Sequence, residues 1–195
     1  MAGLIGFRGM RRAGRQARAA FALYGTAVSA ARHPWFYQVL GVPDTLDGRF
    51  DLVALHAFLV IDRLQDAPPP GPDLAQAVFD AMFSDMDNNL RELGVSDLSV
   101  GKRMRAMWEA FHGRAQAYAA AIRAGDHAAL EAALGRNVWR GDAPAGAAAE
   151  MARFVQAQAA HLAGQDLAAL AGGTARFLPP PDVAPIPPVP PRSGP

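Results

Sequence analysis

The apolar positions of this chain recur every three or four residues in separate runs, divided by glycine, proline and aspartate. The strongest pair of runs spans Phe79–Arg114. In the first, Leu74, Val78, Met82, Met86, Leu90 and Leu93 step by three or four, and Phe79 and Phe83 widen the stripe. That spacing lines one face of a 3.6-residue-period helix. Asp73 suits its N-cap, because a carboxylate there accepts from first-turn N–H groups. Gly94 suits its end, with Val95 folding back as the hydrophobic partner of a glycine stop. A second helix opens near Ser99 and carries Val100, Met104, Met107, Trp108, Phe111, Ala115, Tyr118 and Ile122 on its stripe. With about six large side chains per stripe, each contributing roughly 1.5–3 kcal/mol on burial, this hairpin is predicted to be the centre of the core, Trp108 included.

The remaining runs surround it. Phe21, Leu23, Tyr24, Ala27 and Val28 predict a helix from about Ala19 to Ala31, ended by Pro34, since the residue before a proline avoids the α region. Gly41–Asp51 is turn-rich, with Asp44 or Asp47 to cap the next helix. Phe50–Leu64 is apolar almost all round, the mark of a buried helix, and is too short and too interrupted by His56 and Asp62 to span a bilayer. The stretch from Ala67 to Pro72, APPPGP, is a break. Asp126 caps a helix carrying Ala129, Leu130, Ala133, Leu134 and Val138, closed by Trp139. After the loop at 141–146, a last helix runs from about Ala147 to Ala163 with Met151, Phe154, Val155, Ala159 and Leu162 inward, and Leu167–Leu170 extends it by a turn. No internal repeat is present. The expected fold is all-α: a single helical domain of about six helices over residues 19–178. A basic extension at 1–18 precedes it, and a proline-rich tail at 179–195 favours polyproline II and does not build a core.

Composition narrows the function classes. Half of the 195 residues are hydrophobic, much of that alanine, and aromatic and β-branched residues are too scattered for a sheet. The net charge is +1, so the whole molecule is no polyanion binder and no nucleic-acid partner is expected. Yet the first 43 residues hold six arginines and no acid, so the remainder carries −5. Arg8, Arg11, Arg12, Arg15 and Arg18 followed by an apolar segment admit four readings: a signal peptide cleaved near Val28-Ser29-Ala30, a mitochondrial transit peptide, a basic helix on an anionic membrane surface, or a frayed basic tail entering the first core helix. The last, combined with weak membrane attraction, is favoured. The absence of cysteine removes disulfides, thiolate metal sites and cysteine nucleophiles.

No catalytic constellation emerges. Asp85-Met86-Asp87-Asn88-Asn89 begins like a calcium loop, but Leu90 and Ser96 stand where an EF-hand needs glycine and glutamate. The five histidines show no HxxxH spacing; His56 alone lies in a strongly apolar helix, as a satisfied core residue or, alternatively, a partner contact. No serine sits in a GxSxG elbow, and no phosphate loop is present. No cofactor or metal is expected. Trp35, after a helix break, is left open. The residues marked for a partner are the polar edges of the hairpin, Asp80, Asp85, Asp87 and Arg91 on the first helix and Lys102, Arg103 and Arg105 on the second, and, as the alternative contact beside the FYQVLGVPDTLDGRFD segment, His56. Their opposite signs suit a charged partner.

The segment FSDMDNNLRELGVSDLSVGKRMRAMWEAFHGR resembles the signature of the ubiquinol–cytochrome c chaperone family. FYQVLGVPDTLDGRFDLVALHAFLVIDRL, Phe36 to Leu64, and LEAALGRNVWRG, Leu130 to Gly141, match in the same order, so that the likeness covers roughly Ala20–Ala163. The resemblance implies a non-enzymatic chaperone that helps assemble cytochrome b, or another subunit, into respiratory complex III, and brings no catalytic motif. Family members occur in mitochondria and in bacteria. One lysine against eighteen arginines goes with GC-rich coding, which favours a bacterial cytoplasmic protein near the inner membrane over a mitochondrial one. The competing classes are a peripheral membrane adaptor anchored by the basic N-terminus and an enzyme with an unrecognised site.

Overall fold

The computed structural model describes residues 3–181, with side chains from residue 14 onward. The side chains of Arg8, Arg11 and Arg12, and most of the proline-rich tail, lie outside the described residues. The chain forms α1 (Gly3–Ala31), α2 (Pro34–Gln38), α3 (Leu46–Gln65), α4 (Gly71–Glu92), α5 (Asp97–Ala124), α6 (His127–Val138), α7 (Ala147–Ala163) and α8 (Leu167–Ala171). Six are long and two are single turns of five residues. The described residues are all-α, as the periodicity predicts.

The core is organised around α3, not around the predicted hairpin. α3 packs against α1, α4, α5, α6 and α7. Its Leu52, Leu55, Ala57, Phe58, Leu59, Val60 and Leu64 are all buried, as an all-round apolar helix requires. α1 and α4 close one side of it, and the α5–α6–α7 meander closes the other. Backbone approach explains one of its glycines: a Cβ on Gly48 would stand 2.0 Å from the Pro43 carbonyl oxygen, so the connection folds directly onto the first turn of α3.

Several ends differ from the expected ones. Thr45 caps α3 by accepting from the Gly48 N–H at 3.2 Å, and Asp47 lies inside the first turn. α4 starts at Gly71, within the stretch expected to be a break, which leaves Asp73 in the first turn and not at the cap. The carboxylate then acts on the helix dipole from inside the turn. Pro34 opens α2 at N1, where its missing N–H costs nothing. Residues 167–170 do not extend α7: Gly164 ends it, and Asp166 caps the separate α8 through the Ala169 N–H. α1 continues unbroken from Gly3, so the packed helix and the basic segment are one element. By contrast, Gly94 (φ 76°) ends α4 as predicted: the Val95 N–H reaches back to the Leu90 carbonyl, closing a glycine C-cap motif.

Two polar ties fix the helices. Asp51 is buried and accepts from Arg114 of α5 on one oxygen and from Arg140 after α6 on the other, the latter at 2.7 Å. Burial pushes its carboxyl above the usual range, and the two guanidinium groups pull it back. Across the bundle, the Tyr24 hydroxyl donates to Asp85 at 2.7 Å. Burial, with Asp85 beside it, holds that phenol well above its ordinary pKa.

Candidate functional site

Phe21, Val39, Leu46 and Leu178 stand exposed one by one, and the seam between α4 and α5 leaves three more large apolar side chains uncovered. Met86 and Leu90 of α4 and Val100 of α5 are buried, while three large apolar side chains close to them are not. Leu93 is 62 % exposed, Leu98 93 % and Trp108 48 %. The expectation that Trp108 lies in the core is therefore corrected. Successive helix residues are turned by ~100°, which sets Trp108 on the flank of the stripe that Phe111 and Val100 bury. Only a neighbour on that flank would cover it.

Trp108 ends an aromatic row that runs outward from the core. Phe111 is buried, and Phe79 and Phe83 pack against it with centroids at 5.5 and 6.3 Å. Phe79 meets His112 at 5.4 Å, and His112 stacks on Trp108 at 3.9 Å. His112 Nδ1 is fixed 2.9 Å from the Trp108 carbonyl oxygen. The row is thus held rigidly by packing at one end and by helix geometry at the other. Such pre-ordered aromatic surface binds with little entropy loss.

The charged residues marked from the sequence divide into two groups. Those on α4 are largely committed within the fold. Asp80 accepts from Gln76 at 2.8 Å. Asp85 faces Tyr24. Asp87 pairs with Arg91 at 2.6 Å, and Arg91 reaches on to Asp97, stapling the α4–α5 turn. Those on α5 are open: Lys102 and Arg103 are exposed and make no ion pair among the described residues, and Arg105 stands 3.9 Å from Glu109. Because Lys102, Arg103 and Arg105 fan around the helix, they do not form one patch; Arg105 lies on the Trp108 and Leu98 side. His56 is not on this surface. It is completely buried, with Nδ1 2.8 Å from the Leu52 carbonyl oxygen and Nε2 without a partner. Burial holds it neutral, with its pKa lowered from 6.5 to about 4. It is a core histidine, though satisfied at one nitrogen only, and it offers no contact to a partner in this conformation. Arg15 and Arg18 are exposed on α1.

The sequence reading missed two polar residues of consequence, Gln158 and Asp51. Gln158 falls on the inward stripe of α7 with Met151, Val155 and Leu162, and Asp51 interrupts an apolar run. A polar residue in phase with a buried stripe was the available signal for both. Among the described residues no group of three or more His, Cys, Asp or Glu side chains is placed to hold a metal ion, and no helix is long and apolar enough to cross a membrane.

The sequence profile of the ubiquinol–cytochrome C chaperone family matches residues 38–177, from the end of α2 through α8 and beyond. The chain belongs to that family. Among solved structures, the Cbp3 homolog from Brucella abortus superposes with a TM-score of 0.79 at 36 % identity, over 90 % of this chain and 96 % of that one. Two curated relatives are named ubiquinol–cytochrome c reductase complex assembly factor 1. The Xenopus laevis protein is 26 % identical over 120 residues, and the Mus musculus protein is 26 % identical over 119. This chain matches 60 % and 40 % of their respective lengths, so it shares with them a domain and not their full extent. The matched region contains α3, the whole α4–α5 seam and the buried stripe of α7.

Proposed function

We propose that this protein is a non-enzymatic assembly chaperone that holds the cytochrome b subunit of ubiquinol–cytochrome c reductase before complex III is complete. The observation that carries the reading is the exposed Trp108–His112 stack, backed by the half-buried Phe79 and Phe83 on the family domain, a surface suited to apolar helices of an unassembled membrane subunit. Family membership and the names of the relatives support complex III as the assembly concerned, and cytochrome b is our choice of client within it. Of the α5 cations, Arg105 lies on the Trp108 side and Lys102 and Arg103 fan away from it, so together they would act on an acidic or partly acidic client through the field around α5.

The test is complementation of a deletion strain. The triple change Lys102→Glu, Arg103→Glu, Arg105→Glu should leave a folded protein, as judged by circular dichroism, that no longer supports assembled complex III. Normal assembly with that folded variant removes these cations from the interface. Normal assembly in the deletion strain itself ends the reading.

A second reading concerns location. We infer cytoplasmic placement beside the inner membrane of a bacterium, with a mitochondrial location as the alternative. The continuity of α1 from Gly3 supports a peripheral membrane role, because it makes the arginine-rich segment an arm of the packed helix. Basic residues next to an anionic surface contribute about 1 kcal/mol each and are screened by salt. Deleting residues 1–18 should weaken binding to anionic liposomes in a salt-dependent way and leave the melting temperature unchanged. A large loss of stability would make the segment part of the packed domain instead.

A further inference from the structure

After α8 the chain turns at Gly173 (φ 88°) and runs back over the bundle as an extended strap, residues 174–178. Two glutamines hold it, and each pairs with the main chain of a single residue. Gln165 donates from Nε2 to the Arg176 carbonyl at 2.5 Å and accepts from the Arg176 N–H at 2.9 Å. Gln158 donates from Nε2 to the Leu178 carbonyl at 2.7 Å and accepts from the Leu178 N–H at 2.9 Å. Each amide thus copies the reciprocal pair of bonds that a neighbouring β-strand would make. Only an extended chain presents N–H and C=O of residues i and i+2 toward the same side.

The side chains alternate accordingly. Ala175 is buried, Arg176 exposed, Phe177 half-buried and Leu178 exposed. The Phe177 ring packs 5.3 Å from the ring of His56, which also meets Phe36 at 5.3 Å and Phe154 at 6.2 Å. Gln158 is completely buried beneath the strap. An open depression of about 480 Å³, lined by His161, Gln165, Asp166, Thr174 and Arg176 among others, borders the strap.

We propose that this is a binding groove for an extended peptide of the client with a small and then an aromatic side chain at alternate positions, as Ala175 and Phe177 are, and that the strap is its resident occupant. The recognition chemistry is that of an added strand: main-chain bonds supply affinity without regard to sequence, and the alternate pockets supply selectivity. Gln158 and Gln165 read nothing but backbone, so any residue other than proline satisfies them. Beneath Phe177, His56 Nε2 stays without a hydrogen-bond partner. The strap also cannot prolong the pairing, because Pro179, Pro180 and Pro181 come directly after it and lack N–H donors. The strap is therefore held by two reciprocal amide pairs and one aromatic contact, and a chain that offers the same pattern competes with it. This inference rests on the client-holding role only for the identity of the peptide's source.

The probe is a synthetic fluorescent peptide containing the strap sequence Thr-Ala-Arg-Phe-Leu, titrated against the full chain. Phe177→Ala in the full chain weakens the resident occupant while leaving the groove intact. This variant is expected to bind the peptide at least tenfold more tightly than the unaltered chain. The same peptide with its Phe replaced by Ala should not bind, and adding Gln158→Leu to the variant should abolish binding. A folded Phe177→Ala chain that ignores the peptide, or binds it no better than the unaltered chain, overturns the proposal. If that variant does not fold, hydrogen exchange of the unaltered chain decides. Arg176 and Leu178 amides exchanging at least a hundredfold faster than those of α3 support a strap that opens, and exchange as slow as α3 overturns it. Failure of either experiment leaves the complex III reading standing, because deletion-strain assembly tests that role separately.

Discussion

α3 and the tip of the α4–α5 hairpin use similar side chains to opposite ends. Around α3, five helices converge, and Leu52, Leu55, Leu59 and Leu64 lose nearly all contact with water. At the hairpin tip the seam of α4 and α5 is only partly covered. Met86, Leu90 and Val100 fill the seam between them, while Leu93, Leu98 and Trp108 face outward. Burial scales with how many neighbours surround a helix, and the exposure of Leu93, Leu98 and Trp108 shows that those side chains lack them. One region buries its apolar side chains, and the other leaves three of them in contact with water, which is why the proposed client surface is placed there.

The sharpest way to break the comparison is Met86→Asp. Met86 sits where the seam still belongs to the core, and a carboxylate buried there finds no partner. The domain should unfold, with a loss of about 4 kcal/mol or more, seen as lost helicity and a collapsed melting transition. Retained stability would mean that the seam is as loose as the tip.

A somewhat smaller effect should come from His56. It is neutral in the fold, with its pKa lowered from 6.5 to about 4, whereas the unfolded chain takes up a proton as pH falls below about 6.5. Its contribution is therefore full above pH 6.5 and is lost as the pH drops toward 4, by about 3 kcal/mol in all. Denaturant unfolding across that range, compared between the unaltered chain and His56→Leu, reads the difference directly. A pH-independent difference would show that His56 is not held neutral by the packing of α3.

The smallest expected effect on stability is at the tip. Trp108→Ala removes a half-exposed ring stacked on His112 and should cost no more than about 1 kcal/mol, with unchanged helicity. In the complementation assay the same folded variant should reduce complex III assembly. A loss of several kcal/mol would make Trp108 a core residue after all, and full assembly would remove the aromatic row from the client surface.

Periodicity, caps and stops were legible without the fold. The stripes of α4 and α7, the Gly94 stop, the Asp126 cap and the Trp139 end all depend on residues close in sequence. The three matching segments carried the family likewise. What the sequence could not provide was the neighbour of each face. The stripe through Trp108 looks the same whether one helix covers it or three, and the arginines after Lys102 look like a patch until the helix fans them apart. Asp51 meets Arg114 and Arg140 from 63 and 89 residues away, and Gln158 meets Leu178 around the intervening α8. These pairings are set by where whole helices dock. Local spacing fixes which side chains share a face, because helix geometry is set residue by residue. Only the tertiary arrangement decides which faces are buried, since burial is a property of elements brought together from distant parts of the chain.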